Sequence, residues 1–179
     1  MKKVSLFKKV AIAVVALTAS VSAIAQERGD MAVGANVIGG IYADKLYSIG
    51  VGAKFLYNVI APLRLAGEVD FSVGAKEGNT LATSTSYTFQ DFSVYAHYLF
   101  AINDRTVLYP LAGVGMLRGK TDVKIAGVNL SSTDSRIAYA VGGGFDQALT
   151  DNLAVNAELR LKLHGGNHII YLVGIAYKF

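Results

Sequence analysis

The feature that most constrains this chain is a period-two alternation of apolar and polar side chains, which runs through nearly all of it after residue 25. Such alternation predicts β-strands with one apolar face and one polar face. The segment 152–164 is the clearest case. One of its faces is apolar and consists of Leu153, Val155, Ala157, Leu159, Leu161 and Leu163. The opposite face is polar and consists of Asn156, Glu158, Arg160, Lys162 and His164.

The same pattern predicts eight strands along the chain, and no helical periodicity interrupts them. Their expected positions are near 31–42, 46–59, 63–76, 87–101, 106–119, 136–148, 152–164 and 168–179. Strands of soluble proteins usually have about 5–6 residues. A tilted strand that crosses a membrane needs about 9–11 residues. The predicted strands therefore have the length of membrane-spanning strands.

Alternation alone does not tell which face lies inside. A soluble barrel for a hydrophobic ligand would turn the apolar rows inward, whereas a membrane barrel turns them outward. Glycines in the polar rows suit a crowded interior, and they are Gly50, Gly52, Gly113, Gly115, Gly142 and Gly144. Aromatic residues end the apolar rows, as membrane-interface girdles do. They are Tyr57, Tyr98, Phe100, Phe145, Tyr177 and Phe179 at one end, and Tyr47, Tyr139 and Tyr171 at the other.

The predicted connections also alternate in length. Those near 59–62, 102–105 and 149–151 are tight, whereas those near 77–86 and 120–135 are longer and rich in Ser, Thr, Gly and Asn. Short periplasmic turns opposite longer surface loops are typical of outer-membrane barrels. Two further outer connections, near 43–45 and 165–167, are short as well, so the asymmetry is partial.

The hydrocarbon interior of a membrane requires that such a sheet be closed. Inside hydrocarbon every backbone N–H and C=O must be paired within the protein, so an open sheet edge is not viable. We therefore predict an all-β fold, an eight-stranded antiparallel up-and-down transmembrane β-barrel, with both termini in the periplasm. A barrel of about eight strands has an interior that side chains can fill.

The first 25 residues have the pattern of a secretion signal. Basic residues precede an apolar stretch over 10–17, and Ala23-Ile24-Ala25 is a small-residue cleavage site. The predicted division is a signal peptide over 1–25 and a barrel domain over 26–179. Four of the 17 basic residues and none of the 13 acidic ones lie before residue 26, so the mature chain has a net charge near zero. This balance removes the main support for a nucleic-acid partner.

Three motifs rich in glycine and aromatic residues stand out along the chain, and they are Ala96-His97-Tyr98-Leu99-Phe100, Tyr109-Pro110-Leu111-Ala112-Gly113-Val114-Gly115 and Val141-Gly142-Gly143-Gly144-Phe145-Asp146. They resemble the small OmpA/OmpX-type outer-membrane barrels, often described as porin-family proteins. The resemblance implies a location in the bacterial outer membrane and contact with its lipids and lipopolysaccharide. It implies activity only weakly, because folds of this kind carry many functions.

The end of the chain resembles the signal that the barrel-assembly machinery recognises, with Gly174, Tyr177 and the terminal Phe179 in the matching places. Leu172 stands where that signal usually has a polar residue. The resemblance implies two partners during biogenesis, the assembly machinery and periplasmic chaperones.

Charged residues on the polar faces of the third and seventh strands predict an ion-pair network inside the lumen. Buried charges require partners, because desolvation without compensation is costly. Matching the residues by depth pairs Glu68 with Arg160 and Asp70 with Lys162, and it places Arg64 near Glu158. The alternative is that each charge has a local neighbour or a trapped water molecule.

No catalytic, cofactor or metal site is predicted. His97 faces inward, away from a lipid substrate, and is expected to be a hydrogen-bonded lumen histidine. Ser131, Ser132, Asp134 and Ser135 have the composition of an ordinary loop. His164 and His168 alone would be an incomplete metal site.

The predicted function is therefore that of a non-enzymatic envelope protein, with a role in envelope integrity or surface contact and with a lumen plugged by side chains. A narrow channel for ions or small solutes is the alternative. A lipid A-modifying enzyme and a soluble periplasmic barrel for a hydrophobic ligand are further hypotheses.

Overall fold

The computed structural model describes residues 28–42, 46–76, 83–125, 128–163 and 167–179. These residues form eight strands, of which the fourth is interrupted only at Leu99. The strands are β1 (Met31–Tyr42), β2 (Leu46–Ile60), β3 (Leu63–Lys76), β4 (Thr83–Tyr98 and Phe100–Asn103), β5 (Thr106–Ile125), β6 (Val128–Ala148), β7 (Leu153–Leu163) and β8 (Asn167–Lys178). At the interruption, the Leu99 N–H donates to the carbonyl of Pro62 at 2.8 Å. The predicted signal peptide lies outside the described residues.

The sheet closes on itself. Each strand pairs antiparallel with its neighbours in the chain, and β1 pairs with β8 from Ala32↔Lys178 to Ile41↔Ile169. This arrangement confirms the predicted eight-stranded antiparallel barrel. No helix in the described ranges is long and apolar enough to cross a membrane.

The apolar rows face outward and the polar rows face the lumen. On β7, Leu159 is 60% exposed, whereas its neighbour Arg160 is 1% exposed. The same contrast holds around the barrel, where the outward rows include Val37, Ile49, Val51, Val73, Tyr139, Val173 and Ile175. A soluble barrel that binds a hydrophobic ligand inside would require the opposite facing.

The predicted loop over 120–135 is wrong for the residues described there, 120–125 and 128–135, because they continue the sheet. β5 and β6 remain paired as far as Ile125↔Val128, and β4 accompanies β5 from Thr83↔Ile125. Among the described residues, β7 pairs with β6 only from Tyr139↔Leu163 inward. The alternation is weak here because water wets both faces of a sheet above the membrane, so neither face needs an apolar row. We call this three-stranded extension of β4, β5 and β6 the surface hairpin sheet.

Glycines on the inward rows allow neighbouring strands and side chains to approach closely. A Cβ at Gly142 would meet the Leu159 carbonyl oxygen and would lie 2.9 Å from the Cα of Arg160. On the outward face of β3, a Cβ at Gly67 would meet nothing within 4 Å. Glycine is thus sterically required at one position and not at the other.

Replacing Gly142 with Ala is expected to lower the free energy of unfolding by about 1–3 kcal/mol, the usual cost of overpacking. Gly67→Ala is the matched control and is expected to raise it by about 0.5–1 kcal/mol, because alanine has less backbone entropy to lose. Urea unfolding of barrels folded into phospholipid vesicles measures both values. Equal effects of the two substitutions would contradict this role of Gly142.

Candidate functional site: the lumen and the surface hairpin sheet

Arg160 lies at the centre of the lumen and binds two carboxylates at once. Its Nη1 and Nη2 donate to the two oxygens of Glu68 at 2.5 and 2.8 Å. Its Nε donates to Oε2 of Glu158 at 2.8 Å, and Nη2 donates to the same oxygen. The guanidinium also lies 4.2 Å from the ring centroid of Tyr95. Planar guanidinium geometry suits such bidentate binding, and each carboxylate thereby gains a charged partner.

Two further side chains extend this cluster across the barrel. Lys54, on β2, donates from Nζ to Asn156 Oδ1 at 2.7 Å and to Glu158 Oε1 at 3.1 Å. The Tyr109 hydroxyl, on β5, lies 3.0 Å from a Glu158 oxygen and 3.2 Å from an Asp146 oxygen. Glu158 therefore has donors from three strands.

A second group lies nearer the periplasmic end. Arg64 donates to Asp146 at 2.6 Å, and its Nε and Nη2 lie 3.3 and 3.1 Å from Nδ1 of His97. The His97 ring stacks on Tyr109 with centroids 4.7 Å apart and an interplanar angle of 6°. Because His97 Nδ1 accepts from Arg64, this histidine serves as a hydrogen-bond acceptor and stacking partner. Below the group lies a cavity of 640 Å³ that Arg64, Asp146 and residues of the periplasmic turns line.

A third group lies nearer the outer end. Lys162, on β7, forms an ion pair with Asp91 on β4, and Asp91 also accepts from the Ser93 hydroxyl. Asp70 is directly opposite Asp91 in the β3–β4 ladder. Its Oδ1 is buried and has no hydrogen-bond partner among the described residues.

The structure brings Glu68 and Arg160 together and gives Lys162 a different acidic partner from the predicted one. The expected pairing of Asp70 with Lys162 is wrong, since Lys162 binds Asp91. The expected proximity of Arg64 to Glu158 does not give an ion pair, since Arg64 binds Asp146. Strands of a barrel are tilted and staggered, so equal distance along two strands does not mean equal depth in the lumen.

Sequence reasoning missed four acidic, basic or tyrosine members of these groups as ion-pair or hydrogen-bond partners, which are Lys54, Asp91, Tyr109 and Asp146. All four lie on the inward faces of their strands, and that facing is the signal that could have identified them. The partners of each side chain required the register between strands, which alternation does not contain.

The remaining candidate residues are distributed over the molecule. Ser131, Ser132, Asp134 and Ser135 lie on β6 in the surface hairpin sheet, where Asp134 pairs with Arg136 at 2.5 Å. Asp122 on β5 lies above the apolar belt, and hydrogen bonds from Lys120 and Ser131 lower the pKa of this carboxyl group. His168 is on β8, whereas His164 lies outside the described residues.

The residues of the predicted assembly signal lie on the closing strand. Tyr177 and Phe179 are exposed on the outward face beside β1, where the Phe179 N–H donates to Met31 O at 3.2 Å. Gly174 faces the lumen and is opposite Asn36 in the β1–β8 ladder. Recognition by the assembly machinery stays a prediction.

A closed barrel with an apolar outer wall and a charged interior defines a class, the transmembrane β-barrels of the bacterial outer membrane. The sequence matches the family described as outer membrane protein beta-barrel domain over residues 10–179. The chain belongs to this family, and its location is the bacterial outer membrane.

Solved structures of the same fold agree with this assignment. The attachment invasion locus protein Ail of Yersinia pestis has a TM-score of 0.60 and 18% identity, with 85% of this chain and 99% of that chain covered. Neisserial surface protein A has a TM-score of 0.58 and 19% identity, with 84% and 96% covered. A major outer membrane protein from Thermus thermophilus has a TM-score of 0.65 and 13% identity, with 83% and 99% covered. No curated protein matches the sequence.

Proposed function

We propose that this protein is a non-enzymatic component of the outer membrane whose lumen is plugged and whose surface hairpin sheet makes contacts outside the cell. The observation that carries the proposal is the arrangement around Arg160, whose fully buried guanidinium binds Glu68 of the opposite wall and Glu158 of its own strand. A protein whose centre is filled in this way acts through its surface and its rigidity.

Burial supports the plug. The largest fully buried side chains are Arg160, Tyr95, Tyr109, Leu172 and His97. All five project from the strands into the lumen, where a conducting pore would need water. Their burial supports a cross-section filled by side chains at this depth, and the ion pairs among their neighbours oppose displacement.

The experiment that tests the plug is a planar-bilayer recording. Purified wild-type barrels are expected to give no steady conductance, because charged side chains would have to separate before ions could pass. A variant with Glu68 and Arg160 both changed to Gly is the positive control, and it is expected to give small steady channels. Steady channels from the wild type would instead establish the alternative, a narrow channel. The 640 Å³ cavity at the periplasmic end is the observation that favours this alternative.

Basic side chains support contact with lipopolysaccharide, which we include in the proposal together with the other lipids of the outer membrane. Arg118 and Lys120 lie on the same outward face of β5 as Met116, and they are the next two residues on that face beyond the apolar belt. Both lie beside polar residues of β4 and β6 in the ladder. Basic side chains just beyond the apolar belt lie at the level of the lipid head groups, whose anionic groups attract them.

The surface hairpin sheet supports a role in contact with other molecules. Among the described residues, none pairs with Val128–Ala138 on the side of β6 that faces β7. An unpaired strand edge offers backbone donors and acceptors to an added strand. The partner outside the cell is not identified by this geometry.

The proposal also includes the route by which the barrel is assembled. The exposed aromatic side chains of Tyr177 and Phe179 on the last strand suit recognition by the barrel-assembly machinery, after delivery by periplasmic chaperones.

A further inference from the structure

The lipid-facing wall of the barrel has a groove of 480 Å³ where β6, β7 and β8 run side by side. Its walls are apolar side chains from the outward rows of these strands, namely Val141, Leu159, Leu161 and Ile169. Val141, Leu159 and Ile169 are exposed on the outer wall, so the groove opens to the surroundings of the barrel and not to the lumen. We call it the wall groove.

Two glycines create the wall groove. Gly143 lines it and is opposite Leu159 in the β6–β7 ladder. Among the described residues, a Cβ at Gly143 would meet one atom within 4 Å, the Tyr109 carbonyl oxygen at 3.2 Å, so the space outside this glycine is open. Gly39 on β1 gives room to the ring of Tyr171, because a Cβ at Gly39 would collide with that ring. The Tyr171 ring therefore leans toward β1, away from its ladder partner Leu159.

The wall groove lies toward the outer side of the membrane. Leu161 is two residues from Leu163, where β7 ends at the outer side. Ile169 is two residues from Asn167, where β8 begins at the same side. Hydrocarbon chains that reach this depth belong to the outer leaflet.

A groove at this depth is filled by hydrocarbon. Its apolar walls offer no hydrogen bonds to water, and an empty groove would forfeit the dispersion contacts of its lining. A chain inside the groove has protein atoms on several sides, whereas a chain on a smooth wall has them on one side. The wall groove therefore binds one chain more tightly than the rest of the barrel surface does.

We propose that the wall groove is a binding site for one acyl chain of lipopolysaccharide. The outer leaflet, which the groove faces, is the leaflet in which lipopolysaccharide is anchored. This inference rests on the contact with lipopolysaccharide proposed above, and it adds a site on a different part of the wall from Arg118 and Lys120. Binding comes from van der Waals packing, because lipid chains are as apolar as the leucine side chains that they touch.

Filling the wall groove tests the site. Barrels purified in detergent would be titrated with lipid A, the acylated anchor of lipopolysaccharide, and bound molecules would be counted by native mass spectrometry. Gly143→Leu places a side chain where the acyl chain lies. The loss of about ten carbon–carbon contacts is expected to weaken binding of the first lipid A molecule about tenfold. Gly67→Leu is the matched control and is expected to bind like the wild type, because Gly67 lies on the outward face of β3, far from the groove.

A second variant and a second lipid make the test specific. Leu161→Ala removes part of one wall and is expected to weaken the same binding step, whereas Leu65→Ala on the outward face of β3 is expected to leave it unchanged. Heat-modifiable gel mobility verifies that each variant is folded. Phosphatidylethanolamine is expected to bind more weakly than lipid A, because lipid A has several chains on one disaccharide and its further contacts with the wall are intramolecular.

The outcomes separate this site from the wider proposal. Equal lipid A binding by the wild type and by Gly143→Leu would refute the groove and leave a contact through Arg118 and Lys120 in place. No binding of lipid A by the wild type would refute both. Equal affinity for phosphatidylethanolamine would assign the groove to phospholipid instead. Dimers formed by the wild type but not by Gly143→Leu would mean that a second copy of the barrel fills it.

Discussion

Replacing Arg160 with Met is expected to lower the free energy of unfolding by about 3–5 kcal/mol, the cost of leaving a buried charge without its partner. Glu68, 3% exposed, would lose its only ion pair among the described residues, and Glu158 would retain Lys54 and Tyr109. Methionine fills a similar volume, so the loss reports chiefly on charge. Urea unfolding in phospholipid vesicles measures the effect.

Arg136→Met is the matched control for this experiment. Arg136 also forms an ion pair with a carboxylate, but the side chains of Arg136 and Asp134 are 56% and 60% exposed. Exposed pairs typically contribute about 0–1 kcal/mol, so little change is expected. Adding Glu68→Leu to Arg160→Met should recover much of the lost stability, because the unpaired carboxylate is then removed. A cost for Arg160→Met no larger than that for Arg136→Met would refute the central role of this ion pair.

Replacing Leu159 with Arg is expected to make folding into a bilayer less favourable by about 2–4 kcal/mol, the cost of a cation on the lipid face near the membrane midplane. Leu159 is 60% exposed and lies on the outward row of β7. Its exposure is to hydrocarbon rather than to water, so the substitution is costly despite the absence of crowding. Folding titrations in vesicles measure the effect.

Leu130 provides a control with the same accessible fraction. It is also 60% exposed but belongs to the surface hairpin sheet, where its surroundings are water. Leu130→Arg is expected to change stability by no more than about 0.5 kcal/mol. Similar values for the two substitutions would mean that the outer wall of the barrel does not contact lipid.

The sequence predicted the barrel because strand geometry leaves few choices. Side chains of a strand alternate between faces, so the residue types at 152–164 determined both the presence of β7 and the facing of Leu159 and Arg160. The closing of the sheet followed from the need to pair every backbone group in hydrocarbon. These inferences need only the local chain and the solvent.

Two kinds of feature could not be predicted in this way. The partners of Lys162 and Arg64 depend on the stagger between strands, which is a property of the whole barrel and has no local signal. The surface hairpin sheet was not predicted because its strands contact water on both faces. The apolar row by which a strand is recognised in the sequence is therefore missing. The segment 120–135 therefore had the composition of a loop, although its described residues belong to strands.

The ion pairs of the lumen also have a consequence for folding. Arg160 and Glu68 are 92 residues apart in the chain, Lys54 and Glu158 are 104 apart, and Lys162 and Asp91 are 71 apart. Contacts between such distant residues form late, since long loops must close first. A half-finished sheet would bring unneutralised charges into the bilayer, so strand insertion and barrel closure are expected to proceed as one cooperative step.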